Sequence, residues 1–128
     1  MPVFFVCAGL IGLLVVVLTM HVGRLRGRKK IFLGDGGDPE MLAAIRAHAN
    51  LVEFAPICLL VIYLAGGFYG FWIPAVLSAV LLVSRALHAG GMLGVIPLGR
   101  MLGAVGTTVV LTVASILLVV ASMGERQY

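Results

Sequence analysis

Residues 41–64 read MLAAIRAHANLVEFAPICLLVIYL, an apolar run with a cation, an amide and an anion set into its first half. About 20 predominantly apolar residues cross the hydrocarbon core of a bilayer as a helix. Arg46, Asn50 and Glu53 stand at i, i+4 and i+7, so a helix turns them to one side, within about 60° of each other. Ionisable groups at membrane depth are costly and are rarely kept without a partner or a task. The stretch therefore predicts a transmembrane helix carrying a polar site on one face.

Three further blocks share that apolar character: about Val3–Val22, Phe71–His88 and Met101–Met123. Across 128 residues, 62% are hydrophobic and 11% charged, with mean hydropathy +1.18. Soluble domains are nearer one quarter charged. Ten-residue alternating segments are missing, which argues against a β-barrel. The expected fold is an all-α membrane protein, a four-transmembrane-helix bundle forming one domain over residues 1–128. The first block has no basic residue before it and no clear cleavage site after it, so it reads as a retained span rather than a secretion signal. Cys7 and Cys58 fall inside spans without a CxxC pairing, and read as small buried hydrophobes.

Net charge is +4, and its placement is informative. Arg24, Arg26, Arg28, Lys29 and Lys30 crowd the first connection, about Gly23–Glu40, while the second, Ala65–Gly70, carries no charge. The excess of Lys and Arg orients the chain with its first and third connections in the cytoplasm and its termini outside. A basic cluster there also suits anionic lipid. Within the first connection Asp38 is an expected N-cap, with Pro39 at the first helical position. Gly34-Asp-Gly-Gly-Asp38 lacks the remaining ligands of a calcium loop, so no metal site is expected. Pro56 is expected to kink the second helix, which membrane helices tolerate. Gly99, Gly103 and Gly106 give the fourth helix a small surface for close packing.

This topology gathers the polar groups at one end. Arg46, Asn50 and Glu53 enter there on the second helix, Arg85 and His88 arrive on the third, and Arg100 opens the fourth. The expectation is a cytoplasm-facing pocket lined by cations, with one buried carboxylate, Glu53. His48 lies roughly 200° around the helix from Arg46 and faces elsewhere. Guanidinium groups favour carboxylates and phosphates. A lone Glu53 would neutralise an arginine or receive an ammonium, and glutathione satisfies both demands. An arginine near its sulfur would favour the thiolate, the nucleophilic form. A plainer reading of the same residues is an internal Arg46–Glu53 ion pair, with Asn50 as interhelical glue.

The pattern Arg46-Ala-x-x-Asn50-x-x-Glu53, followed by Pro56 and preceded by a basic loop, resembles the membrane-associated proteins in eicosanoid and glutathione metabolism, the MAPEG family. The resemblance covers nearly the whole chain, and the short loops look like a bacterial member, hence a bacterial inner membrane. It implies a homotrimer with glutathione between adjacent subunits near the cytoplasmic face. It also implies glutathione contacts from Arg46, His48, Asn50 and Glu53, from Arg85 and His88, and from Arg26, with Arg24 and Arg28 as competitors. Arg100 corresponds to the arginine that stabilises the thiolate. The pattern departs from the family at Met92, where a tyrosine is common, at Phe54 and Met101, which lack a hydroxyl, and at Ala43, where an arginine is common.

The resemblance implies a membrane-bound glutathione transferase conjugating glutathione to lipophilic electrophiles, with glutathione-dependent peroxidase activity as a companion. Expected partners are glutathione, a lipophilic small molecule and membrane lipid, with no nucleic acid. Two rivals are a small four-helix multidrug or proton-coupled transporter, and a catalytically inactive protein that binds glutathione or lipid. Arg46, Arg85 and Arg100 around one carboxylate weigh against cationic cargo.

Overall fold

The structure, a computed structural model, describes residues 1–124. Four helices account for most of it: α1 Pro2–Lys29, α2 Pro39–Tyr69, α3 Trp72–Met92 and α4 Gly99–Gly124. Each is long and apolar enough to cross a membrane, and no strand occurs among the described residues. The α2 and α3 helices form the middle of the bundle. Both pack against α1 and α4, whereas α1 and α4 do not touch.

The helices outrun the apolar blocks. The α1 helix continues through Arg24, Arg26 and Arg28 to Lys29, so the first connection is shorter than the charge run suggested. Arg and Lys are good helix formers, and beyond the bilayer a helix needs no apolar side chains. It stops at Lys30, whose left-handed backbone (φ 57°) lets its N–H reach the Arg26 carbonyl. The loop that follows turns on Gly34, Gly36 and Gly37, all with positive φ, a region glycine enters without steric cost.

The start of α2 follows its sequence signals. The Asp38 carboxylate accepts from the Met41 N–H at 2.8 Å, and Pro39 opens the helix. Asp38 also accepts from Lys29 Nζ at 2.7 Å, and Lys29 reaches Glu40 at 2.6 Å. The Lys29 hydrogen bond, then the Met41 N–H, hold the Asp38 carboxyl below its usual range. A carboxyl depressed on folding stabilises the fold above its unfolded pKa, and that contribution fades as pH falls through the lower folded value. The thermal midpoint of the protein is therefore expected to fall below about pH 3.8, the ordinary aspartate value. Asp38→Asn should flatten that part of the pH profile. An unchanged profile would remove Asp38 from the acid response.

Packing between spans relies on small residues, because lipid supplies no hydrophobic drive to bring helices together. A Cβ added at Gly103 would strike the Ser84 carbonyl and the backbone of His88, and one at Gly106 would strike the Ser84 hydroxyl. The α3 and α4 backbones therefore meet closely. Gly103→Ala is expected to push them apart at a cost of about 1–3 kcal/mol, the usual range for overpacking a tight site. Chemical or thermal unfolding in detergent measures it, and a neutral outcome would mean that α4 shifts freely. Ile11, Leu51, Ile62, Leu81 and Val110 fill the core, with Cys7 and Cys58 buried as small hydrophobes. The Tyr69 hydroxyl donates to the Leu117 carbonyl at 3.1 Å and ties the end of α2 to α4.

Candidate functional site

The polar groups collect on the seam where α2, α3 and α4 meet. Arg46 from α2 and Arg100 from the first turn of α4 line one groove of about 380 Å³, together with Ala43, Gly91 and Met92. No carboxylate lines it. A smaller recess of about 80 Å³, open on the side of Phe54, Ala104 and Thr108, is lined by these residues and by Asn50, Arg85, His88 and Thr107. Helical spacing stacks the two. Arg46, Asn50 and Phe54 descend α2 in steps of four residues, as do Arg100, Ala104 and Thr108 along α4. Each such step is about 6 Å. On α3, which runs the opposite way, the descent is Met92, His88, Arg85. The recess thus lies one turn further along the bundle axis than the groove.

The environments of the arginines differ sharply. Arg85 is 2% exposed. Its Nη1 donates to the Asn50 side-chain oxygen at 2.8 Å and more weakly to the Asn50 carbonyl at 3.4 Å. Its Nη2 points at the Gly103 carbonyl at 3.5 Å, and its guanidinium sits 6.0 Å from the Phe54 ring centre. A guanidinium has only donors to offer, so the Asn50 oxygen faces Arg85 and the Asn50 NH₂ is left for another acceptor. Arg46 and Arg100, by contrast, are exposed on the single chain.

Glu53 departs from expectation. It is not the buried carboxylate of the bundle: its side chain is 50% exposed and stands 3.7 Å from Arg46, itself 50% exposed. The arc of α2 that bears the pair is not covered by the chain's own helices, and among the described residues the buried ionisable groups facing this seam are Arg85 and His88 instead. The contact is the Arg46–Glu53 pairing of the plainer reading, but it lies at the surface of the single chain and is not internal. An exposed pair of this kind contributes about 0–1 kcal/mol, too little by itself to hold either group in place.

His48 and Arg26 lie apart from the seam. The His48 Nε2 is 3.0 Å from the Thr19 hydroxyl, so this side chain joins α2 to α1. Arg26 Nη1 donates to the carbonyls of Ile31 and Gly34, both at 3.0 Å, and braces the first loop. Arg28 pairs with Glu40 at 2.9 Å. None of these basic residues lines the Arg46–Arg100 groove within one chain. The sequence reading did not pick out Ala104, Thr107 and Thr108. Their signal was a polar pair in an apolar run, two turns below Arg100 on the same face. Among the described residues no cluster of His, Cys, Asp or Glu is arranged to hold a metal.

Four packed spans with a cationic groove and a buried guanidinium at one end define a polytopic membrane protein. The chain belongs to the MAPEG family, whose model matches residues 4–120. It is also similar to the inner membrane protein YecN of Escherichia coli K12, 35% identical over 85 residues, covering 66% of this chain and 65% of that protein. The YecN protein of Escherichia coli O6:H1 matches to the same extent. The aligned region thus spans just under two thirds of these relatives, and their names state no activity.

Proposed function

We propose that the protein is a membrane-bound glutathione transferase of a bacterial inner membrane, acting on lipophilic electrophiles at the basic, cytoplasmic end of its bundle, with its termini on the other side. The observation that supports this reading best is the single groove shared by Arg46 and Arg100. Two guanidiniums facing one groove suit a ligand that carries a carboxylate and a second anionic group such as a thiolate. Family membership supports the same class of ligand.

Glutathione, when bound, supplies a nucleophilic sulfur. The residues of the chain do the rest. Arg46 takes a carboxylate by a charge-assisted contact. Glu53, beside Arg46, receives the ligand ammonium, and the free Asn50 NH₂ donates to a carbonyl or carboxylate oxygen. Arg100 holds the sulfur in its anionic state, and Arg85 and His88 line the floor. Rate enhancement comes from positioning and from a preformed cationic field. Arg26 and His48 can contribute only from a second copy of the chain, which accords with a homotrimer whose sites lie between subunits. The same anionic sulfur would serve a peroxidase reaction on lipid hydroperoxides.

A proton-coupled transporter fits less well, because Glu53 is paired with Arg46 and the neighbouring groove is cationic. Titration of the detergent-purified protein with glutathione tests the proposal. Saturable binding is expected, accompanied by an ultraviolet thiolate band near neutral pH and by turnover of a chromogenic aryl halide. Binding without any thiolate band would leave the inactive-binder reading in its place.

A further inference from the structure

A second cationic surface lies on α1, away from the Arg46–Arg100 groove. His21, Arg24 and Arg28 stand at i, i+3 and i+7, within about 60° of each other around the helix. They line one open pocket with Leu25 of the same helix and Glu40 from the start of α2. Arg26, which braces the first loop, points roughly 200° away from Arg24 and does not line it. The ion pairs among the described residues are Arg28–Glu40, Lys29–Asp38, Lys29–Glu40 and Arg46–Glu53, and none includes Arg24. Arg28 contacts one oxygen of Glu40 at 2.9 Å, with both side chains more than half exposed. Lys29 holds the other oxygen at 2.6 Å, so Arg28 can turn to a stronger acceptor without stranding Glu40. Residues 24–40 contain five basic and three acidic side chains, and the surface keeps an excess of positive charge after its internal pairs are made.

The depth of these cations matches the phosphate layer of a bilayer. At about 1.5 Å per residue, Val3–Val22 spans about 30 Å, the thickness of the hydrocarbon core. Arg24 then stands about 3 Å and Arg28 about 9 Å beyond its edge. Helical side chains lean towards the N-terminus of their helix, which here is towards the acyl chains. Leu10, Leu13 and Val17 are exposed and lie with Arg24 and Arg28 on one arc of α1, about 60° wide. An apolar track about one leaflet long, closed by two guanidiniums, has the shape and charge pattern that a phospholipid complements. The first loop adds Phe32 and Leu33, 78% and 92% exposed, while Ile31 packs on Leu25, Met41 and Ala44 and so keeps the loop at headgroup depth. A site for a water-soluble anion has no need of these apolar neighbours.

We propose that the Arg24–Arg28 face of α1 binds one anionic phospholipid of the surrounding bilayer. The two guanidiniums, with His21 beside them, hold its phosphate, and an acyl chain follows Leu10, Leu13 and Val17. Guanidinium matches phosphate oxygens with paired N–H donors, and a basic pocket at the membrane surface favours anionic over zwitterionic headgroups. The site stands whether or not the protein binds glutathione.

Dioleoyl phosphatidylglycerol is the probe, added in mixed micelles to the delipidated full-length protein, with dioleoyl phosphatidylcholine as the zwitterionic reference. A saturable rise of several degrees in the thermal unfolding midpoint is expected with phosphatidylglycerol, and a much smaller one with phosphatidylcholine. Arg24→Gln should weaken the apparent phosphatidylglycerol affinity several-fold. Lys30→Gln, which removes the same charge outside the pocket, should leave it unchanged. Both positions are exposed, and glutamine is as good a helix former as the residues it replaces, so both variants should fold. Equal weakening by the two substitutions overturns the pocket in favour of a diffuse basic surface, and an equal response to the two lipids overturns charge recognition. Reproduction of the shift by inorganic phosphate would show a free anion as the occupant. A smaller oligomer in Arg24→Gln without lipid would show a contact between copies of the chain. Either result overturns the lipid assignment.

Discussion

Arg100→Ala is expected to lower kcat/KM for conjugation by about 100- to 1000-fold, the usual loss when one preorganised donor is removed from developing or held negative charge. It should also abolish the thiolate band while leaving the oligomer and glutathione binding largely in place. The magnitude carries structural information. On a single chain Arg100 is exposed, and an exposed guanidinium interacting across water contributes about 0–1 kcal/mol, which is less than tenfold in rate. A loss of 100-fold or more therefore requires the groove to be closed from water in the working protein. Since the chain's own α1 cannot cover it, the cover would be another copy of the chain. Stopped-flow absorbance for the thiolate and steady-state conjugation kinetics measure both quantities. A thiolate band that survives the substitution would remove Arg100 from the sulfur.

The number of spans, the cap at Asp38 and the small surface of α4 were legible from the chain because each follows from local chemistry. A run of apolar residues long enough for a bilayer, an Asp-Pro step after glycines, and glycines at helical spacing have one common outcome. Which side of each helix points inward was far less legible. In a soluble protein the polar face marks the outside. In lipid both faces are apolar, so periodicity loses that contrast, as at Val16 and Val17, exposed beside buried Leu18. This is why Glu53 was expected in the interior and Arg85 was treated as one contact among several. Glu53, at 50% side-chain exposure, follows the uncovered arc of α2, whereas Arg85 is fixed inside by the close approach of α3 and α4 at Gly103. The basic run misled in the other direction. Its charges suggested a loop, but α1 simply continues into water until Lys30 turns it. Arg26 and His48 were assigned to glutathione by the family pattern, and their contacts within one chain are to the first loop and to Thr19.

Arg46→Ala separates binding from stability more cleanly than any other substitution on the seam. The Arg46–Glu53 contact of 3.7 Å joins two side chains that are each 50% exposed, so its loss should cost folding less than about 1 kcal/mol. Its loss to the ligand should be larger. Truncating one partner of a charge pair that becomes desolvated on binding costs about 2–5 kcal/mol, and the lower end corresponds to a glutathione Kd raised about 30-fold. Glu53→Gln should weaken binding less, because it removes an ammonium contact while freeing Arg46 for the carboxylate. The double substitution is then expected to be non-additive, since the two residues touch each other as well as the ligand. Calorimetric titration of the four proteins with glutathione gives the coupling energy directly. Strict additivity, or a Kd within threefold of the unsubstituted value for Arg46→Ala, would place the carboxylate of the ligand elsewhere. A large loss of thermal stability in Arg46→Ala would show instead that the ion pair itself is what this face of α2 is built to hold.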